Sequence, residues 1–204
     1  MANILIIYGH PKTPTSFNYE LQKRIYTALS ERGHKVITRD LYEISFNPLL
    51  SSKDLEQIHS NEIPDDIKKE QEEIKKTDVI IFIYPIWWAG SPAIIKGYID
   101  RVFSYGFAYK YQSGKVVGLL NDKTAIILNS TGTPSEFYEH EGFHSAIKKV
   151  TDEGIFAFCG FKNIKHIFNG NMSALNETEK QKIITSTTNE VTTYITQEFS
   201  ISGC

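Results

Sequence analysis

Asn3-Ile4-Leu5-Ile6-Ile7-Tyr8-Gly9-His10-Pro11 is an unbroken apolar run ended by a turn, and Asp78-Val79-Ile80-Ile81-Phe82-Ile83-Tyr84-Pro85 repeats the pattern. Neither run alternates apolar with polar residues, so neither has a face left for water. Their length and β-branched content read as strands buried on both sides, as in a parallel sheet covered by helices. Working outward, Phe17, Leu21, Ile25, Ala28 and Leu29 recur at helical spacing until Gly33 stops them. Residues 35–39 read as a second strand. Residues 40–61 are polar and mixed, with a break at Asn47-Pro48 and a short helix over Ser52–His59. Residues 63–76 read as a charged helix. Pro92 suits the first position of another, behind which Ile94, Ile95, Tyr98, Ile99, Val102 and Phe103 form a wide apolar stripe. Residues 123–129 and 163–168 are further strands. The stretch 145–159 reads as one helix, and Asn176 caps a last helix running to about Phe199.

Strands alternating with helices in this way define an α/β protein. The expected architecture is a doubly wound, five-stranded parallel sheet of order 2-1-3-4-5 with helices on both faces. No linker or composition shift divides it, so residues 1–204 are expected to form a single domain, with about 200–204 as a disordered tail. In such a sheet ligands sit at the carboxyl ends of the strands where the winding reverses. Those ends are the loops 9–18 and 84–92. The second holds Tyr84-Pro85-Ile86-Trp87-Trp88, part of an aromatic content of 12%. A further aromatic run, Tyr105 to Tyr111, has no periodic stripe and reads as a loop.

Composition narrows the function. Lys and Arg number 22 against 24 Asp and Glu, which is no footprint for a nucleic-acid binder. The two cysteines, Cys159 and Cys204, make no C-x-x-C and point to a reducing compartment without a disulfide framework. No basic n-region precedes the first apolar run, and no run is long enough to span a membrane. The expectation is a cytoplasmic protein without an integral membrane segment.

Thr15-Ser16 at a helix start offers hydroxyls and free backbone N–H groups to an anion, with His10 and Asn18 beside it. A plain helix cap uses the same residues, and position after the first strand favours the phosphate reading. No G-x-G-x-x-G and no G-x-x-x-x-G-K-[ST] occurs, which disfavours a dinucleotide fingerprint and a Walker nucleotidase. No G-x-S-x-G elbow supports a hydrolase. His140-Glu141-Gly142-Phe143-His144 fits H-E-x-x-H, the pattern of a zinc hydrolase. That chemistry needs both histidines on one stable helix, and Gly142 weakens a helix there by about 1 kcal/mol. The carboxylates of 52–79 read as a solvated helix face rather than an acid–base pair.

Several motifs occur in register: Thr15-Ser16-Phe17-Asn18-Tyr19, Asp40-Leu41-Tyr42, Phe46-Asn47-Pro48, Tyr84-Pro85 with Trp88 and Gly90, Pro92-Ala93-Ile94, Lys96-Gly97, Asp100-Arg101-Val102-Phe103, Phe107-Ala108-Tyr109 and Phe158-Cys159-Gly160-Phe161. Together they resemble the NAD(P)H:quinone oxidoreductase (DT-diaphorase-like) family of flavodoxin-like flavoproteins, from residue 4 to about residue 170. The resemblance implies a bound flavin, NAD(P)H as electron donor, a quinone acceptor, ping-pong turnover and a homodimer with the active site at the subunit interface. It implies that His10, Thr15, Ser16, Phe17 and Asn18 hold the flavin phosphate end. Pro85, Ile86, Trp87, Trp88 and Ala89 would wrap the ring system, and Ser130, Thr131, Gly132 and Thr133 its other edge. Tyr138 and His144 would be the proton-handling pair, with Tyr138 also against the flavin, and Trp88 and His144 would line the substrate site together with Tyr109 and Tyr111 from the other subunit. Animal-type members carry Phe where this chain has Ala89, which implies a wider pocket, and Gly where it has Thr133. They also have a longer segment before the third strand and a C-terminal extension. The 15–18 loop matches the FAD-binding members, so FAD is expected ahead of FMN. Related small flavoproteins serve as ancillary subunits of potassium-efflux channels, an alternative role.

Overall fold

The computed structural model describes residues 1–11, 15–60 and 62–200. The expected tail and Cys204 lie outside the described residues. β1 (Asn3–Tyr8), β2 (Lys35–Asp40), β3 (Val79–Pro85), β6 (Thr124–Ser130) and β7 (Asn163–Asn169) form a parallel sheet of order β2-β1-β3-β6-β7. This is the expected 2-1-3-4-5 order with a hairpin added between the third and fourth sheet strands. The hairpin, β4 (Tyr109–Gln112) and β5 (Lys115–Gly118), pairs antiparallel and stands apart from the main sheet. The run 105–111 is therefore not simply a loop: Ala108 is fully buried, and Phe107 and Tyr109 pack on the core. Cross-strand pairing with 115–118 overrode the missing periodicity.

Each central strand feeds two cores through its period of two. Leu5, Ile7, Ile80, Phe82, Ala125 and Ile127 face α3 (Asp65–Lys75) and α4 (Ala93–Val102), while Ile4, Ile6, Ile81, Ile83, Ile126 and Leu128 face α1 (Phe17–Glu31) and α7 (Glu177–Ser200). The helices thus cover both faces. Asn176 caps α7 in both directions: its Oδ1 accepts from Glu179 N–H and its own N–H donates to Glu179 Oε2.

Two expectations need correction. The stretch 145–159 is not one regular helix: α6 (Phe143–Lys148) passes into a π-helix over Lys149–Ala157. The carboxylates of 52–79 are not all solvated. Asp54, on α2 (Ser52–His59), and Glu70 are 6% and 2% exposed. Each answers a cation on another element. Glu70 receives Arg39, and Asp54 receives Arg101 Nε at 3.0 Å and Nη2 at 3.2 Å. Charges this deep persist only when paired.

Candidate active site

The winding reverses between β1 and β3, whose carboxyl ends are joined by Gly9 N–H donating to the Ile83 carbonyl at 3.0 Å. Ser16 caps α1, accepting from Tyr19 N–H at 3.2 Å. Thr15 is exposed, whereas Phe17 and Asn18 are buried. Asn18 Nδ2 donates to Ser130 Oγ at 2.8 Å, tying the start of α1 to the end of β6.

From Ser130 the chain continues as Thr131-Gly132-Thr133. Thr131 is buried, with Oγ1 donating to the Thr133 carbonyl at 2.7 Å and N–H to the Asn169 carbonyl at 2.9 Å. Gly132 and Thr133 are exposed, and among the described residues nothing accepts from their N–H groups. Ser130 and Thr131 therefore shape the floor, and the next two residues present backbone donors.

On the other side, Ile86 is buried and donates its N–H to the Ser130 carbonyl at 2.8 Å. Trp87 and Gly90 then close a turn with reciprocal 3.0 Å hydrogen bonds, and its two central residues, Trp88 and Ala89, have φ of 51° and 56°. Asn or Gly is normal in such a turn; each L side chain there stores about 1–3 kcal/mol of strain. The conformation leaves Trp88 fully exposed, at 102%. A bulky ring on a strained, rigid turn is a surface for stacking something flat. Trp87 leans over the His10 ring, with centroids 6.0 Å apart.

Tyr138 on α5 (Ser135–His140) and His144 on α6 meet with ring centroids 5.6 Å apart. The two helices part at Gly142, whose φ of 76° is left-handed. H-E-x-x-H is therefore split across a turn. His140 is highly exposed and lies at the end of α5, while His144 stacks on Phe168 at 4.1 Å. Among the described residues no three His, Cys, Asp or Glu side chains converge on a metal-sized site.

Four buried side-chain polar atoms lack a hydrogen bond among the described residues: Tyr8 Oη, His10 Nδ1, Asn18 Oδ1 and His144 Nε2. All lie on segments at or beyond the carboxyl ends of β1 and β6. Buried polar groups in a native protein are almost always paired, so a group of orphans at one edge calls for a partner from outside the chain. Burial lowers the His10 imidazole and raises the Tyr8 hydroxyl to about 12. Burial also lowers His144; Glu139 opposes this and the nearby Lys148 cation adds to it. Both histidines are thereby favoured in the neutral form. Tyr8 was not singled out in the sequence, because a strand-end tyrosine resembles any core residue.

Tyr109 and Tyr111 are not part of this crevice within one chain. With Tyr105 they form a separate aromatic patch, Tyr105 and Tyr111 stacking at 6.3 Å. The patch borders a cleft of about 480 Å³ lined also by Leu50, Leu55, Phe103 and His59. A larger groove, about 750 Å³, runs between β2 and α3 among Arg39, Lys68, Glu72 and Lys76. It lies away from the winding reversal and brings no orphaned group.

A five-stranded sheet of this order, with its loops converging at the reversal, defines a flavodoxin-like protein. The flavodoxin-like fold family matches residues 2–195. An uncharacterized NAD(P)H oxidoreductase of Haemophilus influenzae is 37% identical over 89% of this chain and 90% of its own length. NAD(P)H dehydrogenase [quinone] 1 of Rattus norvegicus is 32% identical over 78% of this chain, which spans 65% of that protein. Among solved structures, an NAD(P)H:quinone oxidoreductase from Methanothermobacter marburgensis superposes with a TM-score of 0.84 at 29% identity, covering 92% of this chain and 96% of the other. The chain belongs to the flavodoxin-like family that contains the NAD(P)H oxidoreductases and NAD(P)H:quinone dehydrogenases. None of its described helices is long and apolar enough to cross a membrane.

Proposed function

We propose that this chain is a flavin-dependent NAD(P)H:quinone oxidoreductase acting in the cytoplasm. The observation that carries the reading is the set of orphaned polar atoms on Tyr8, His10, Asn18 and His144 around loops that also hold open backbone donors and an exposed Trp88. A bound flavin would supply the two-electron chemistry, accepting hydride from NAD(P)H and returning it to a quinone in ping-pong fashion. The chain's own residues do the rest. The start of α1, with Thr15, Ser16, Phe17, Asn18 and His10, holds the phosphate end, where helix N–H groups and the macrodipole favour negative charge. Pro85, Ile86, Trp87, Trp88 and Ala89 form the wall against the flat rings. Gly132 and Thr133 donate backbone N–H groups over the floor made by Ser130 and Thr131. Tyr138 and His144 hold or move a proton at that edge. FAD is the flavin this reading favours over FMN, on the match of residues 15–18 to FAD-binding members. The test is a visible spectrum of the purified protein. A yellow protein bleached by NAD(P)H and recoloured by a quinone supports the reading, and release of the flavin for chromatography identifies FAD or FMN. A colourless chain that takes up neither flavin ends it.

The same reading makes the working unit a homodimer, with Tyr109 and Tyr111 closing the partner subunit's substrate site. Its support is the exposed patch of Tyr105 and Tyr111, 49% and 62% exposed, bordering an apolar cleft. Sedimentation is expected to give a dimer at micromolar concentration. An aromatic contact is worth about 0.5–1.5 kcal/mol, so Tyr111→Ala should raise the quinone KM roughly two- to tenfold with flavin content unchanged. A fully active monomer contradicts the dimer.

A further inference from the structure

The π-helix and the edge strand β7 place a second imidazole beneath His144. His166 and Phe168 lie on the same face of β7, two residues apart. Phe168 is sandwiched: His144 stacks on it at 4.1 Å and 22°, and His166 at 4.1 Å and 19°. The His166 side chain is only 1% exposed. Its Nδ1 lies 2.7 Å from Asp152 Oδ1 on the π-helix, and its Nε2 lies 2.6 Å from Asn129 Oδ1 on β6. The orientation of Asn129 is set independently, because its Nδ2 donates to the Tyr84 carbonyl at 3.2 Å. Turning the amide over would set two oxygens against each other there. Both ring nitrogens of His166 therefore face acceptors, one of them a carboxylate, and an imidazole satisfies two acceptors only by donating from both.

We propose that His166 is a positioning residue of the active site: a doubly protonated ring fixed between Asp152 and Asn129, acting on His144 across the face of Phe168. The inference rests on the oxidoreductase reading for its purpose, though not for its test. The aromatic face favours a cation on its lower side. That cation in turn disfavours a second positive charge on His144. The consequence is a His144 ring held neutral, with its buried Nε2 left without a partner among the described residues. The charged and titratable groups around the two rings are Asp152 on the π-helix, the buried Tyr84 on β3, which meets Asn129 and Thr151 beside Asp152, Glu139 and Tyr138 on α5, and Lys148 on α6, whose Nζ lies 5.8 Å from the Phe168 ring. Lys165 points to the other face of β7, where it pairs with Glu190. The π-helix has a definite part in this arrangement, since it carries the carboxylate that reaches His166.

The test is histidine side-chain ¹⁵N NMR on the protein as purified. His166 is expected to show two protonated nitrogens at neutral pH. In His166→Gln the titration midpoint of His144 should move upward, and NADPH-driven quinone reduction should change its pH profile in the same direction. Asp152→Asn, which keeps the size of the side chain, should free one His166 nitrogen of its proton and move His144 the same way. A single protonated nitrogen on His166 in the native chain overturns the proposal, and so does an unmoved His144 midpoint in either folded variant. If His166→Gln does not fold, the native ¹⁵N pattern and Asp152→Asn decide. The NMR result does not depend on quinone reduction, so a failed enzyme reading and a failed His166 role remain distinguishable.

Discussion

Arg101→Met should destabilise the protein by about 3–5 kcal/mol, the usual penalty for leaving a buried carboxylate without its cation. Arg101 is 3% exposed. Its Nε and Nη2 grip Asp54 in a fork, and Nη1 donates to Asp66 Oδ2 at 2.6 Å and to the Asn47 carbonyl at 2.9 Å. The guanidinium also lies 5.6 Å from the Phe46 ring. One side chain on α4 thus fastens α2, the start of α3 and the irregular segment around Asn47. Urea unfolding measures the loss. In Arg101→Met/Asp54→Leu most of it should return, since an apolar pair can replace a buried ion pair at little net cost.

The pH dependence has a definite sign. Burial acts to raise the Asp54 carboxyl, but hydrogen bonds from Arg101 and the Ser51 N–H outweigh it and hold the group below its ordinary value. A depressed carboxyl contributes stability above its unfolded value, about 3.9, and loses it as pH falls through the folded value. Without Arg101, burial dominates and the direction reverses. The single variant should lose least stability at acid pH, and an equal deficit at pH 4 and pH 7 would contradict this account.

Arg101 also shows what the sequence conceals. The buried strands were legible from their unbroken apolar runs, and the order of the sheet from their alternation with helices. Asp54 and Arg101 were not, because 47 positions separate them and Asp54 sits in a segment that reads as polar surface. The hairpin was missed because Tyr109-Lys110-Tyr111-Gln112 is short and half exposed. The crevice was located by topology, which places loops 9–18 and 84–92 together without knowing any side-chain contact. Its inner detail was hidden. His166 reads as one more residue of an edge strand, and nothing local announces that Asp152 will meet it. A π-helix has no periodic signature of its own, and 145–159 keeps enough helical spacing to pass for an ordinary helix.

The last prediction concerns the pair that topology did bring together. Tyr138 and His144 face each other at 5.6 Å on the segment that follows β6, which also carries the open N–H groups of Gly132 and Thr133. If the two rings stabilise charge that appears only as hydride arrives, removing either slows chemistry more than it weakens substrate binding. A single donor of this kind is worth about 2.7–4 kcal/mol at most. Backbone donors share the load here, so about 1–3 kcal/mol is expected, a roughly five- to 150-fold slowing. His144 should show the larger effect, because its Nε2 is buried without a partner and Tyr138 is only half-buried. Stopped-flow reduction of His144→Gln and Tyr138→Phe by NADPH separates rate from affinity. The double variant should lose less than the sum of the two, since the residues act as a unit. Unchanged reduction rates in both single variants, with only the apparent affinity altered, would reduce Tyr138 to a stacking surface and His144 to packing on Phe168.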